Sequence, residues 1–308
     1  MGNTFFFEWE PVFMEWIQAH LSSFGVGVAS FCSMLGEEGL LVILLCFLYF
    51  FWDKEAGKFV ARRFMPSMML NAGIKNIFCR LRPYFVHKNV QILKPVDPKA
   101  DIYDVAAQGY SFPSGHSANS ASAYISTAAA FREKWITVVT IAVTALVGIS
   151  RFCVGAHYPT DVLVGWGIGL IVVFGYSFLE SKIKDRRIIY LILAIIGLPG
   201  FFFCKTNDFY TGYGMMLGFF IGDLFEERYV DFENTRNVLR GILRIAIGGG
   251  LYLGLNTLLK LPFGKEFLES GTVAAYLVRT VRYMVIIFLV MGVYPMVFKL
   301  SDKYWKKK

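Results

Sequence analysis

Residues 135–180 read WITVVTIAVTALVGISRFCVGAHYPTDVLVGWGIGLIVVFGYSFLE. Two apolar runs, 135–149 and 162–180, flank a polar insert that carries Arg151, His157 and Asp161. Runs of this kind belong in a bilayer, which a helix of about 20 residues crosses. Seven more apolar stretches recur around residues 38–52, 64–79, 117–131, 188–203, 209–221, 245–259 and 283–298. Some are shorter than a full crossing, but their flanks extend them into the headgroups. The pattern predicts an all-α fold, a polytopic transmembrane helix bundle of about nine spans.

The whole composition agrees. Hydrophobic residues make up 56% of the 308 and charged residues 18%, too apolar a balance for an ordinary soluble domain of this size. The formal charge of +8 is dispersed between apolar segments rather than gathered in one patch, which argues against nucleic acid as a partner. Basic residues instead mark alternate loops: Lys54, Lys58, Arg62 and Arg63; Arg132 and Lys134; Lys182, Lys184, Arg186 and Arg187; Arg228, Arg236, Arg240 and Arg244; and Lys303 to Lys308. By the positive-inside rule these loops are cytoplasmic. The first 53 residues hold no Lys or Arg, so the N-terminus is expected outside.

That N-terminal stretch lacks a basic leader, and Glu8, Glu10 and Glu15 interrupt its aromatic residues, so a cleaved signal peptide is not expected. Trp9, Phe13, Trp16 and Ile17 recur near helical spacing, which predicts an interfacial helix ahead of a break at Gly36-Glu37-Glu38. The five cysteines show no metal-ligand spacing and are read as small apolar packing residues.

Three polar clusters carry chemistry. Lys75-Asn-Ile-Phe-Cys-Arg80-Leu-Arg82-Pro83 ends the second span, and the seven-residue step from Lys75 to Arg82 predicts that both project from one helix face. Phe112-Pro113-Ser114-Gly115-His116 opens the third span. With Ser114 as N-cap, the free N–H groups of Gly115 and His116 form an anion site at the positive end of the helix dipole. In the third cluster Pro159 suits the first turn of a helix, and Asp161 is placed to accept a hydrogen bond from His157, leaving the other ring nitrogen as a nucleophile. Each cluster alone has an ordinary reading: snorkelling cations at a helix end, a capped helix start, an acidic residue near a helix N-terminus. The loop charges put all three on the same outer side, however, and three cations with two histidines and directed N–H donors fit a phosphate group.

Taken in order, these clusters resemble the signatures of the type 2 phosphatidic acid phosphatase superfamily, integral-membrane lipid phosphate phosphatases related to bacterial acid phosphatases and vanadium haloperoxidases. Lys75 through Pro83 matches K-x6-RP, Pro113 through His116 matches PSGH, and Ser150 through Asp161 matches SR-x5-H-x3-D. The resemblance implies a six-span core over residues 38–204; the interfacial segment before it, 1–37, and about three further spans in 205–308 are read from their own hydropathy and spacing. It implies that His157 attacks phosphorus, that Asp161 orients it, and that His116 protonates the departing oxygen. Lys75, Arg82, Ser114, Gly115 and Arg151 would hold the phosphoryl oxygens, with no metal and no other cofactor.

The implied substrate is a phosphorylated membrane lipid: phosphatidate, phosphatidylglycerol phosphate, a polyprenyl diphosphate or a sphingoid base phosphate. The expected location is a bacterial plasma membrane, with the site facing outward. A lipid phosphotransferase, a vanadate-dependent peroxidase and a non-catalytic lipid transporter are the competing readings. In the C-terminal part, Arg279 and Arg282 lie three residues apart on one helix. A span that begins near Thr272 places Arg282 about 15 Å along the axis. One that begins near Val281 lets both arginines snorkel. Headgroup contact by the pair is the functional expectation.

Overall fold

The computed structural model describes residues 2–299, so Lys303 to Lys308, expected in the last cytoplasmic segment, lie outside the described residues. No sheet forms among those residues, where an isolated bridge joins Asn3 to Arg80. The helices are α1 (Trp9–His20), α2 (Ser23–Met34), α3 (Glu38–Phe47, continued by a π-helical turn over Leu48–Trp52), α4 (Lys54–Phe78), and two single turns, α5 (Pro83–Val86) and α6 (Val105–Gln108). There follow α7 (Gly115–Phe131), α8 (Lys134–Cys153), α9 (Pro159–Lys182), α10 (Arg186–Gly197), α11 (Gly200–Phe203) and α12 (Asn207–Phe225). The chain continues with α13 (Val238–Leu258), α14 (Lys265–Glu269) and α15 (Val273–Phe288). The protein is an all-α integral membrane protein.

Helices appear at all nine expected spans, yet only Lys134–Cys153, Pro159–Lys182, Arg186–Phe203, Val238–Leu258 and Val273–Lys299 are each long and apolar enough to cross a membrane. Ser23–Met34 and Glu38–Trp52, bent by 52° at their junction, are long and apolar enough only as a pair, which makes them a broken span or a re-entrant loop. The bend falls at the expected break, but the helix before it packs on α8, so residues 23–34 belong to the bundle rather than to an interfacial segment.

The helices that fall short of a span by composition are α4, α7 and α12, and they are the enclosed ones. Most of their residues are buried, against less than half in the apolar windows of α8, α9, α10 and α13. A helix shielded from lipid by other helices need not be apolar all round. Small residues allow the close packing. A Cβ on Gly165 or Gly169 of α9 would stand 2.6 Å from the carbonyl oxygen of Ser114 or Ala118 on α7, and Gly214 and Gly218 of α12 admit the α15 backbone in the same way.

One end of this core is ionic. Arg62 and Lys58 of α4 meet Asp223 of α12 at 3.0 and 3.3 Å, Lys58 also pairs with Glu226, and the Tyr190 hydroxyl donates to Asp223. All of these groups are buried. The expected site residues gather at the other end.

Candidate active site

Helix α4 stops at Phe78, where Cys79 takes a left-handed conformation (φ 49°) and its N–H bonds back to the Lys75 carbonyl. Lys75 and Arg82 therefore do not share a helix face, contrary to the spacing argument. Arg82 lies beyond the reversal as the residue capping α5, and the turn rather than the helix brings the two cations to one cavity. Lys75 Nζ donates to the Tyr110 carbonyl at 2.7 Å. Arg82 Nε donates to the carbonyls of Gln108 and Gly109, and its Nη1 donates to that of Ala156 at 2.9 Å and lies 3.3 Å from His157 Nε2.

Ser114 caps α7 as expected. Its hydroxyl accepts from Ser117 N at 3.4 Å and Ser117 Oγ at 2.9 Å, while its own N–H donates to the Asp161 carbonyl. That last bond ties the start of α7 to the start of α9 and so joins the two histidine-bearing segments. Arg151 ends α8 buried, with Nη1 on the Ser33 hydroxyl and Nε without a partner. A buried guanidinium N–H with no protein acceptor is free to donate to an anion.

Pro159 opens α9 and Asp161 caps it, accepting from Tyr158 N at 2.8 Å. The Asp161 carboxylate sits 3.5 Å from His157 Nδ1, and the Ser111 hydroxyl lies beside both, donating to Asp161 and 3.4 Å from the same ring nitrogen. Burial first, then Arg82, Lys75 and Arg151, hold the His157 imidazole well below the usual histidine range. It is neutral at pH 7, and Nε2 is the nitrogen turned toward Arg82.

Sequence reasoning gave no role to the support behind Asp161. Arg80, fully buried, places Nη1 2.6 Å from Asp161 and Nη2 2.8 Å from Glu10. Its Nη1 also reaches the Thr160 hydroxyl, its Nε donates to the Phe5 carbonyl at 2.7 Å, and its guanidinium lies 3.9 Å from the Tyr158 ring centroid. Glu10 in turn accepts from the amide and hydroxyl of Thr160. Helix α1 thus turns Trp9, Phe13 and Trp16 outward, as an interfacial helix should, while Glu10 and Met14 face in. The one available signal was a carboxylate among apolar neighbours, which needs a partner.

Lys75, Arg82, Gly115, His116 and His157 line a cavity of about 1010 Å³ whose far wall includes Tyr252, Tyr276, Arg279 and Tyr283 of α13 and α15. Thr272 caps α15, so the helix starts where the first of the two expected placements of Arg282 has it. The arginine pair divides. Arg279 reaches the cavity, whereas Arg282 is buried against α13, donating to Asn256 Oδ1 at 2.8 Å.

A membrane helix bundle that gathers two histidines, the cations Lys75 and Arg82 and an open helix N-terminus around one cavity, with Arg151 buried outside its lining, is built to handle a phosphoryl group. The chain belongs to the PAP2 superfamily: residues 61–185 match it, and residues 210–303 match the transmembrane extension of PAP2 superfamily phosphatases. It is a membrane-embedded phosphatase of that superfamily. Phosphatidylglycerophosphatase B of Bacillus subtilis (strain 168) is 30% identical over 157 residues, covering 48% of this chain and 70% of the relative. Undecaprenyl-diphosphatase of Sulfolobus acidocaldarius is 26% identical over 169 residues, 54% of this chain and 77% of the relative. Lipid A 4'-phosphatase of Porphyromonas gingivalis is 30% identical over 140 residues, 43% and 57% respectively. No solved structure matches the chain significantly.

Proposed function

We propose that the protein hydrolyses a phosphomonoester or diphosphate of a membrane lipid through a phosphohistidine on His157. The observation that carries the proposal is the setting of that imidazole. Nδ1 faces Asp161 and Ser111, and Nε2 faces Arg82 in a cavity shared with His116 and Lys75. Nε2 attacks phosphorus as the bond to the leaving lipid oxygen breaks, and His116 gives that oxygen its proton. His116 then takes a proton from water, whose oxygen attacks phosphorus as the P–N bond breaks. Inorganic phosphate leaves, and both histidines return to their starting states. Lys75, Arg82 and Arg151, with Ser114 and the Gly115 N–H, hold the phosphoryl oxygens and offset the charge that builds on them.

Protein cations take the part that metals play in other phosphatases, and no group of three metal-ligating side chains stands together among the described residues. Loop charge supports a site on the outer face of a bacterial plasma membrane. The division into residues 1–37, 38–204 and 205–308 stays part of this reading, with both flanks contributing to the site: Glu10 behind Asp161, and Arg279 at the cavity wall as a headgroup contact. Candidate substrates remain phosphatidate, phosphatidylglycerol phosphate, polyprenyl diphosphate and sphingoid base phosphates.

The test is to trap the intermediate with a radiolabelled lipid phosphate and an alkaline quench, which preserves phosphohistidine. His157→Ala should show neither phosphoenzyme nor turnover. His116→Ala should still form phosphoenzyme from a substrate with a good leaving group. Wild-type turnover by both variants would overturn the assignment, and label passing to an added alcohol in place of water would make the enzyme a phosphotransferase.

A further inference from the structure

Beside the cations of the cavity stand two amides that the mechanism does not use. Asn71 lies on α4 one turn before Lys75 and is 4% exposed; it lines the cavity, and its Nδ2 has no hydrogen-bond partner. Asn119 lies on α7 one turn after Gly115 and lines the same cavity, and its buried Oδ1 has no partner either. The register of the two helices sets Asn119 about one helical turn, roughly 5 Å, along the cavity from Asn71, within reach of one group held between them. Asn71 Oδ1 is 3.3 Å from where a Cβ on Gly115 would stand, and one turn along α4, Ser67 bonds to the Ala118 carbonyl at 3.4 Å.

The two orphans are of opposite kind, one a donor and the other an acceptor. Native proteins rarely leave buried amides unpaired, so an unpaired donor and acceptor on one cavity point to a ligand that meets both. Phosphate and carboxylate oxygens only accept and would oppose Asn119 Oδ1. An ammonium only donates and would oppose Asn71 Nδ2. A hydroxyl does both.

We propose that Asn71 and Asn119 form a hydroxyl-binding subsite beside the phosphoryl cradle. The proposal rests on the phosphohistidine reading above, since it takes the cradle to be where phosphorus reacts. The hydroxyl comes from one of two sources, the attacking water or a free hydroxyl on the lipid headgroup near the reacting phosphate.

The experiment compares the full-length wild type with Asn71→Leu, Asn119→Leu and the double variant in detergent micelles. One substrate is phosphatidate, which has no free hydroxyl near its phosphate, and the other is phosphatidylglycerol phosphate, which has one. Each single variant should lose about tenfold, the scale of a hydrogen bond made in the transition state: in kcat/KM where the hydroxyl is the headgroup's, and in kcat where it is the water that attacks the phosphoenzyme. A loss confined to phosphatidylglycerol phosphate identifies the headgroup hydroxyl. An equal loss on both, with fast first release of the lipid alcohol and slow release of phosphate, identifies the water. In either case the double variant should fall no more than about twofold below the worse single one, because both amides hold the same group.

Because Leu removes an unpaired polar atom, the ligand-free variants should melt at or above the wild-type temperature. Should one fail to fold, Asn119→Ser or Asn71→Ser replaces it under the same criteria. Single variants within about twofold of wild type on both substrates, or losses that multiply in the double, would overturn the subsite. His157→Ala measured alongside keeps the two readings apart: turnover by that variant sinks the phosphohistidine, whatever the amides do.

Discussion

Arg80→Ala is the substitution from which most can be learned, because it touches neither cavity nor substrate. The guanidinium holds Asp161 at 2.6 Å and Glu10 at 2.8 Å, both carboxylates fully buried. Taking it away leaves two uncompensated negative charges facing one another without solvent. Removing one partner of a buried ion pair costs about 3–5 kcal/mol, a large part of the stability of a typical domain. A second consequence follows for turnover. Asp161 loses its strongest tether and no longer fixes the imidazole behind Nδ1, and misplacement of about 1 Å costs on the order of a hundredfold in rate. The two effects separate in the Arg80→Met, Glu10→Gln double variant. There one of the stranded charges is gone, so the thermal midpoint in detergent should recover, while kcat should stay low because Asp161 is still untethered. The assay pairs nanoscale thermal unfolding with phosphate release from mixed micelles. An Arg80→Ala enzyme with wild-type midpoint and kcat would refute the positioning argument, and a double variant that regains kcat would show that Arg80 acts through stability alone.

The metal-free mechanism predicts full activity in EDTA and inhibition by vanadate, which fills the cradle in a trigonal-bipyramidal form; activity lost to EDTA and restored by magnesium would refute it. Arg279→Ala should lower kcat/KM for a diphosphate lipid about tenfold more than for a monophosphate of equal chain length, the worth of one charge-assisted contact. Arg282→Ala should show no such discrimination but a lower thermal midpoint, since it strands Asn256; discrimination by Arg282 instead would reverse the assignment. Because the His157 pKa is pushed below its ordinary 6.5, the unfolded chain binds a proton there that the folded one refuses. Stability should therefore fall as pH drops below about 6.5 toward the folded-state value, and His157→Asn should flatten that part of the profile. An unchanged slope in the variant would place the titration elsewhere.

The parts of the site that were legible in the sequence are those set by local rules. Ser114 as N-cap and Pro159 in the first turn of α9 are short-range matters of backbone geometry, and the structure has both as expected, whereas Asp161 stands 3.5 Å from His157 Nδ1 without the direct hydrogen bond expected of it. The common helix face of Lys75 and Arg82 failed on a local event as well, the reversal at Cys79, but a left-handed residue that is not glycine gives no signal. Glu10, Ser111 and Asn71 were illegible for another reason. Their meaning lies in contacts with residues far along the chain: Glu10 with Arg80 across 70 residues, Ser111 with Asp161 across 50. Hydropathy finds the stretches 64–79, 117–131 and 209–221 along with the others, but it does not tell a helix that faces lipid from one that other helices enclose. That α4, α7 and α12 form the interior is set by the packing.

The ionic end of that interior has a bearing on how the chain is made. Lys58 and Arg62 enter the membrane on α4, but the carboxylates that neutralise them arrive on α12 and the turn after it; Asp223 follows Arg62 by 161 residues. At ribosomal rates of about 5–20 residues per second, the growing protein waits roughly ten to thirty seconds with those cations uncompensated. During that interval α4 is a poor candidate for release into lipid, because two cations in its first turns still lack those carboxylates. It must instead linger at the translocon, at the membrane surface or in the care of an insertase until the later helices emerge. A ribosome stalled before Asp223 should leave α4 accessible to aqueous thiol reagents through an introduced cysteine, and one stalled beyond Val230 should protect it.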